Sequence, residues 1–220
     1  MKNRKNIPFF TGISCVTAFI IWTILIQTID VQPVGVNGTA IGFAALNCWF
    51  HNLTGTNMPL YTITDWLGLI PVFVCMIFGI LGLMQLIKRK RLLQVDKDIL
   101  FLGIYYILVI FAYLIFEMVP INYRPILIDG RMEASYPSST TLLVLSVMPT
   151  LIFQTNCRLK NRTTRNIIRI LTILFSVFMV FSRLISGVHW FTDIIGSAML
   201  SAGLFYTYKA LILSYNRKDT

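Results

Sequence analysis

Hydrophobic residues run in long stretches along this chain, and most charges fall between them. Residues 6–29 carry no charge before Asp30. At about 1.5 Å per residue, such a run can cross a hydrocarbon core about 30 Å thick. A second run, Trp66–Ile87, ends at Lys88-Arg89-Lys90-Arg91, and a third follows at Ile99–Phe116. The fourth, Ser138–Cys157, is less apolar at its start. The fifth is Asn166–Ser182, with Arg169 close enough to its end to snorkel, and the sixth is Phe191–Leu213, with Lys209 near its end. The pattern predicts an all-α bundle of six transmembrane helices, with residues 1–220 forming one integral membrane domain. The first run is read as a retained span, because it is too long for a signal-peptide h-region and no small-residue cleavage site stands out. Between the first two spans, residues 30–65 are longer than a connection needs. Within them Ile41–Leu53 is apolar but too short to span, which predicts an interfacial or re-entrant segment in the first outer loop.

Composition agrees with the pattern. Hydrophobic residues make up 56% of the chain and charged ones only 13%, leaving too little polar surface to clothe a soluble domain of 220 residues. The net charge of +10 does not point to nucleic acid, because the basic residues sit in short clusters beside apolar runs. Sixteen of the nineteen Lys and Arg fall at the N-terminus, in 88–97, in 158–169 and in 209–218. Arg124, Arg131 and Arg183 fall on the other side. That asymmetry predicts cytoplasmic termini and outward-facing loops around those three arginines, in a multi-pass protein of the cell membrane. The four cysteines have no metal-like spacing and read as packing residues. No metal and no cofactor are expected.

The three outer arginines break an otherwise sorted charge pattern. Arg131 reads as a solvated loop residue. Arg124 and Arg183 each abut apolar sequence, where a cation calls for an anionic partner, and the planar guanidinium fork suits phosphate. Arg183 opens the run Ser182-Arg183-Leu-Ile-Ser-Gly-Val-His189-Trp-Phe-Thr-Asp193. If the sixth span begins near His189, Asp193 lies one turn on along the same face. A carboxylate there accepts from one imidazole nitrogen and leaves the other free as a nucleophile. The bland alternative is a His and Asp that only cap a helix. Tyr136-Pro137-Ser138-Ser139-Thr140-Thr141 reads as a helix start with Pro at the first position, whose free N–H groups would also suit an anion. Capping alone would explain its serines.

Together these pieces resemble the type 2 phosphatidic acid phosphatase superfamily, the lipid phosphate phosphatases. Its pattern is a Lys seven residues before Arg-Pro, then Pro-Ser-Gly-His, then Ser-Arg-x5-His-x3-Asp. Ser182, Arg183, His189 and Asp193 match the last block in full, while Arg124-Pro125 and Pro137-Ser138 match in part. The resemblance implies that His189 attacks phosphorus to form a phosphohistidine, with Asp193 as its partner. It also implies that Arg124 and Arg183 hold the phosphoryl oxygens; Ser138, Ser139 and nearby backbone N–H groups are expected to complete the cradle. The family's Lys falls here on Glu117, its Gly on Ser139 and its second His, the leaving-group acid, on Thr140.

A missing acid matters most for an alkoxide leaving group, where proton donation is worth about 10²–10⁴ in rate. A phosphate leaves more readily, so a lipid diphosphate such as a polyprenyl diphosphate suits the site better than a monoester. Glu117, Glu133 or His51 are the candidates to replace the acid, although His51 reads more simply as an interfacial histidine. The leading expectation is a membrane phosphatase or phosphotransferase whose partners are a lipid phosphate and the bilayer. The alternative is a catalytically impaired relative that binds a lipid phosphate or a membrane protein partner. A small transporter ranks last, because the ionisable residues cluster at span ends and not at the midplane.

Overall fold

The computed structural model describes residues 7–215. Among the described residues the regular structure is helical: α1 (Ile7–Thr28), α2 (Ala44–Thr54), α3 (Met58–Leu67), α4 (Leu69–Arg89), α5 (Lys97–Met118), α6 (Ser139–Arg158), α7 (Arg162–Ile185) and α8 (Phe191–Tyr215). Among the described residues five stretches are long and apolar enough to cross a membrane: α1, α3 and α4 taken together, α5, α6 and α7. The chain is an all-α integral membrane protein. Large side chains such as Ile20, Phe73, Ile107 and Leu174 stand exposed on the outsides of these helices. In water that surface would be a liability; against lipid it is the natural face of a spanning helix.

Helix α8 shows the inverse pattern. At 25 residues it measures about 38 Å, long enough to cross. Its apolarity is diluted by Gly196, Ser197, Ser201 and Gly203, all buried against neighbouring helices. Small residues let backbones approach closely where lipid supplies no competing hydrophobic drive. A Cβ on Gly203 would lie 2.7 Å from Val16 Cγ2, and one on Gly12 would lie 2.7 Å from Thr207 Oγ1, so α1 and α8 meet almost backbone to backbone. The main apolar core lies between α4, α5, α6 and α8, around Leu102, Tyr105, Val144, Val147 and Tyr208.

At one end of the bundle, charged side chains staple the α4–α5 turn to α6. Arg89 pairs with Asp96 at 2.8 Å, and Arg158 with Asp98 at 2.6 Å and Asp96 at 3.4 Å. Lys88, Arg91, Arg162 and Arg165 belong to this end. The basic residues Lys2, Arg4, Lys5, Arg217 and Lys218, which entered the charge asymmetry, lie outside the described residues. At the other end, α2 crosses the start of α8. Its Asn47 donates to Thr192 Oγ1 at 3.0 Å, and Thr192 N–H donates back to Asn47 Oδ1 at 3.3 Å. The apolar segment expected at Ile41–Leu53 is thus a helix packed on the bundle.

Two expected helix starts differ from those observed. Pro137 does not occupy the first turn of α6: Ser138 (φ −58°, ψ 113°) is its non-helical cap, with its N–H directed at the Asp193 carbonyl 3.4 Å away. Helix α8 begins at Phe191, so His189 precedes it. A short loop, Ser186–Trp190, carries that histidine. Gly187 sits there at φ +67°, where a Cβ would fall 1.9 Å from the Gly55 carbonyl oxygen. No other residue fits such an approach without displacement.

Candidate functional site

The link between α5 and α6 holds half of the site. Asp129 (φ 49°) and Gly130 (φ 73°) form a two-residue turn, flanked by the pairing of Ile128 with Arg131. Asp-Gly is a favoured pair for such a turn, because both positions need positive φ. The pairing runs back to Tyr123 and Ala134; Arg124 N–H donates to the Glu133 carbonyl at 3.1 Å and Ser135 N–H to the Asn122 carbonyl at 3.0 Å. Alternation along an extended backbone then places Asn122 and Arg124 on one face. Both are buried.

Facing them is the loop before α8. His189 is 3% exposed and Asp193 is fully buried. The expected direct bond between them is not made, since Asp193 Oδ2 stands 3.7 Å from His189 Nδ1. Ser135 mediates instead. Its hydroxyl donates to Asp193 Oδ2 at 2.5 Å and lies 3.2 Å from Nδ1, while its carbonyl oxygen is 3.1 Å from Nδ1. A carbonyl can only accept, so the ring proton sits on Nδ1 and Nε2 keeps its lone pair. Asp193 is held further by Asn122 Nδ2 at 3.2 Å and Trp190 N–H at 2.9 Å.

Burial pulls the His189 imidazole down to about 4, against the opposing pull of Asp193 and in concert with repulsion from Arg124 and Arg183. The ring is therefore neutral at pH 7. Its folded pKa lies below the unfolded value of about 6.5, so between those two values the unfolded chain binds a proton that the folded chain refuses. Stability should fall as pH drops through that window and should not change on this account above it. The comparison to make is the thermal midpoint of detergent-solubilised wild type and His189→Ala at pH 7.5 and 5. Subtracting the variant removes the parallel effect of His51, which burial also lowers. A wild-type drop no larger than the variant's would refute the buried neutral imidazole.

The two arginines meet over one ring. Tyr61 of α3 lies beneath both guanidinium groups, with its centroid 5.6 Å from Arg124 Cζ and 4.7 Å from Arg183 Cζ. An aromatic face is one of the few uncharged surfaces that favours two adjacent cations. Asp65, one turn further along α3, accepts from Arg183 Nη2 at 2.9 Å, and Thr140 Oγ1 accepts from the same nitrogen at 2.5 Å. Glu133 pairs with Arg124 Nη2 at 3.1 Å. Arg183 is 1% exposed and Arg124 8%. Among the described residues eight buried side-chain polar atoms lack a partner, and five belong to this site: Arg124 Nε and Nη1, Arg183 Nε, His189 Nε2 and Asn122 Oδ1. Buried donors are seldom left unpaired, so the cluster has room for an acceptor-rich ligand.

The other candidates separate. Ser138 turns its hydroxyl to Thr141 Oγ1 at 3.1 Å, and its carbonyl accepts from Ser197 Oγ at 2.9 Å, so its side chain is engaged within the fold. Ser139 opens α6 beside Thr140, where the first-turn N–H groups have no intrahelical acceptor. Glu117 stands exposed at the end of α5, sharing a small cavity with Ser139 and Tyr136. Arg131 is exposed on the hairpin, as expected of a solvated residue. His51 leans on Trp190, with ring centroids 5.8 Å apart. Sequence reading missed Tyr61, Asp65, Asn122 and Ser135; of these only the last two had a local signal, the Asp129-Gly130 turn between alternating segments. Among the described residues no group of three or more His, Cys, Asp and Glu could hold a metal ion.

A cleft of about 500 Å³ leads away from the arginines between α4, α5 and α6. Asp65, Ser139 and Thr140 line its mouth, and Val72, Val109 and Val147 line its depth. From Ser139 to Val147 it follows α6 for about 12 Å.

Fold and site define a membrane-embedded helical bundle with a buried polar centre at one end, beside an apolar cleft lined by its Asp65 and Thr140. Residues 119–217 match the family model described as the PAP2 superfamily. The fold is similar to that of a solved structure, the first transmembrane PAP2-type phosphatidylglycerolphosphate phosphatase from Bacillus subtilis. That likeness has a TM-score of 0.66 at 18% identity, over 96% of this chain and 98% of the other. No curated protein matches the chain. The superfamily resemblance drawn from the motifs agrees with the family model over residues 119–217, and the solved structure shares the fold.

Proposed function

We propose that this chain is a membrane phosphatase or phosphotransferase acting on lipid diphosphates, with His189 Nε2 as the nucleophile. The observation that carries the reading is the set of four unpartnered atoms on Arg124, Arg183 and His189. A phosphoryl group supplies oxygens for the guanidinium donors and an electrophile for the imidazole lone pair. Ser135 and Asp193 hold the ring in the tautomer this chemistry needs. The arginines sit where charge develops on the transferring group, and backbone N–H groups at the start of α6 add to the cradle. The apolar cleft takes the lipid chain.

The preference for a diphosphate rests on Thr140. No imidazole stands at the cleft mouth, and the Thr140 hydroxyl accepts from Arg183. A neutral hydroxyl is a poor acid for an alkoxide, whereas a lipid monophosphate leaves without one. Helix α8 is the sixth crossing in this reading. The charge asymmetry supports a basic end of the bundle in the cytoplasm and a site facing outward from a cell membrane. The alternative reading, a relative that binds a lipid phosphate without turnover, is favoured by the carboxylates of Asp65 and Glu133 already held by the two arginines.

One experiment separates the readings: phosphate release by detergent-purified protein from a polyprenyl diphosphate and from phosphatidic acid, side by side. The expected result is release from the diphosphate at least about 10²-fold faster, the low end of what a general acid contributes to an alkoxide departure. Equal rates would sink the leaving-group argument. No release from either, by folded and monodisperse protein, would leave the binding reading.

A further inference from the structure

If lipid chains lie in the cleft, the oxygen that leaves phosphorus departs towards the cleft mouth. In-line displacement requires the hydrolytic water to return along the same line, opposite Nε2. A base for that water must therefore line the mouth. Thr140 is there, but its hydroxyl is a weak base. Glu133 and Glu117 are not among the residues that line the cleft; Glu117 lines a small adjoining cavity that shares Tyr113 and Ser139 with it. Asp65 is the one acidic side chain that lines the cleft, among the described residues. One oxygen, Oδ1, is anchored by Arg183 Nη2 at 2.9 Å, next to Thr140 on the same nitrogen. Its side chain is 60% exposed, so its second oxygen is not enclosed by the fold.

We infer that Asp65 is the catalytic base of the second half-reaction, a role that rests on the phosphatase reading above. In the first half, Nε2 attacks the terminal phosphorus, the bond from phosphorus to the bridging oxygen breaks, and its electron pair leaves with the lipid monophosphate. In the second, a water oxygen attacks the same phosphorus and yields its proton to Asp65 Oδ2. The P–N bond breaks, its electron pair returns to Nε2, and inorganic phosphate departs. Asp65 then loses the proton to solvent. This division suits a site without an acid: the first step needs none, and the second needs only a carboxylate. The anchor on Arg183 also ties the base to the phosphoryl clamp, so both register on the same group.

The test is rapid-quench kinetics of wild type and Asp65→Asn with a polyprenyl diphosphate labelled on the terminal phosphorus. The amide keeps an oxygen for Arg183 and removes the base. The variant should release a burst of about one lipid monophosphate per site at the wild-type rate. Its steady phosphate release should then fall about 10²-fold, with acid-labile label accumulating on the protein. Asp65→Glu should restore part of the steady rate. A burst and steady rate lowered together in Asp65→Asn, with no labelled protein, would mean that Asp65 only positions Arg183. That outcome overturns the assignment and leaves the phosphatase reading standing. A wild type that neither releases phosphate nor takes up label overturns both.

Discussion

His189→Ala should bring phosphate release down to background while leaving the bundle folded. Removing a covalent nucleophile costs on the order of 10⁴–10⁶ in rate, because the arginines and the cleft still bind substrate but nothing attacks phosphorus. The folding expectation follows from what the ring does in the resting protein. Nε2 has no partner, so its loss strands no donor or acceptor. Nδ1 gives up its contact with the Ser135 carbonyl, but Asp193 keeps Ser135, Asn122 and the Trp190 N–H. The measurements are steady-state phosphate release, and size-exclusion profile with thermal midpoint in the same detergent. An inactive variant that aggregates would not bear on catalysis, so His189→Gln, closer in volume, should be measured alongside. Turnover near wild type in either folded variant would remove His189 from the chemistry.

The second large effect is expected at Arg183. Arg183→Lys keeps a positive charge but should cost about 10²–10³ in kcat/KM, the range for losing a donor to developing charge. The guanidinium spans Tyr61 at one side, Asp65 and Thr140 at another, and leaves Nε for a ligand. An ammonium is a point donor on a flexible stem and cannot hold three directions at once. It would settle on Asp65, the nearest carboxylate, and leave the phosphoryl oxygens with Arg124 alone. Competitive inhibition by inorganic phosphate reads the binding share of the loss directly. An Arg183→Lys enzyme with unchanged kcat/KM would show that charge alone is needed at this position.

Much of this site could be read from local spacing. Ser182, Arg183, His189 and Asp193 lie within one short stretch, and Arg124-Pro125 and Pro137-Ser138 precede it in order. The spans themselves were legible because a bilayer demands long apolar runs, and α5, α6 and α7 lie within a few residues of their expected limits. Helix α8 was legible from length alone; its serines and glycines weakened the apolar signal because they face protein and not lipid. The direct His189–Asp193 bond was a reasonable inference from helical periodicity that failed because α8 starts two residues later. That delay puts the imidazole on a loop and opens the gap that Ser135 fills.

Tyr61, Asp65 and Ser135 illustrate why the rest was hidden. Tyr61 and Asp65 come from a helix more than 110 residues before Arg183, and nothing along α3 marks an aromatic ring or an exposed carboxylate as a neighbour of an arginine. Ser135 reaches His189 only because the Asp129-Gly130 hairpin folds its strand back beside Asn122. Residue type and spacing alone predicted the apolar helices, the charge asymmetry and the proposed nucleophile with its proposed clamp, because apolar run length and motif order are one-dimensional properties. Which carboxylate neighbours the clamp, which hydroxyl holds the imidazole and where the cleft opens depended on how α3, the hairpin and α6 pack together. Those are contacts between segments distant along the chain, and they exist only once the helices have closed around α8.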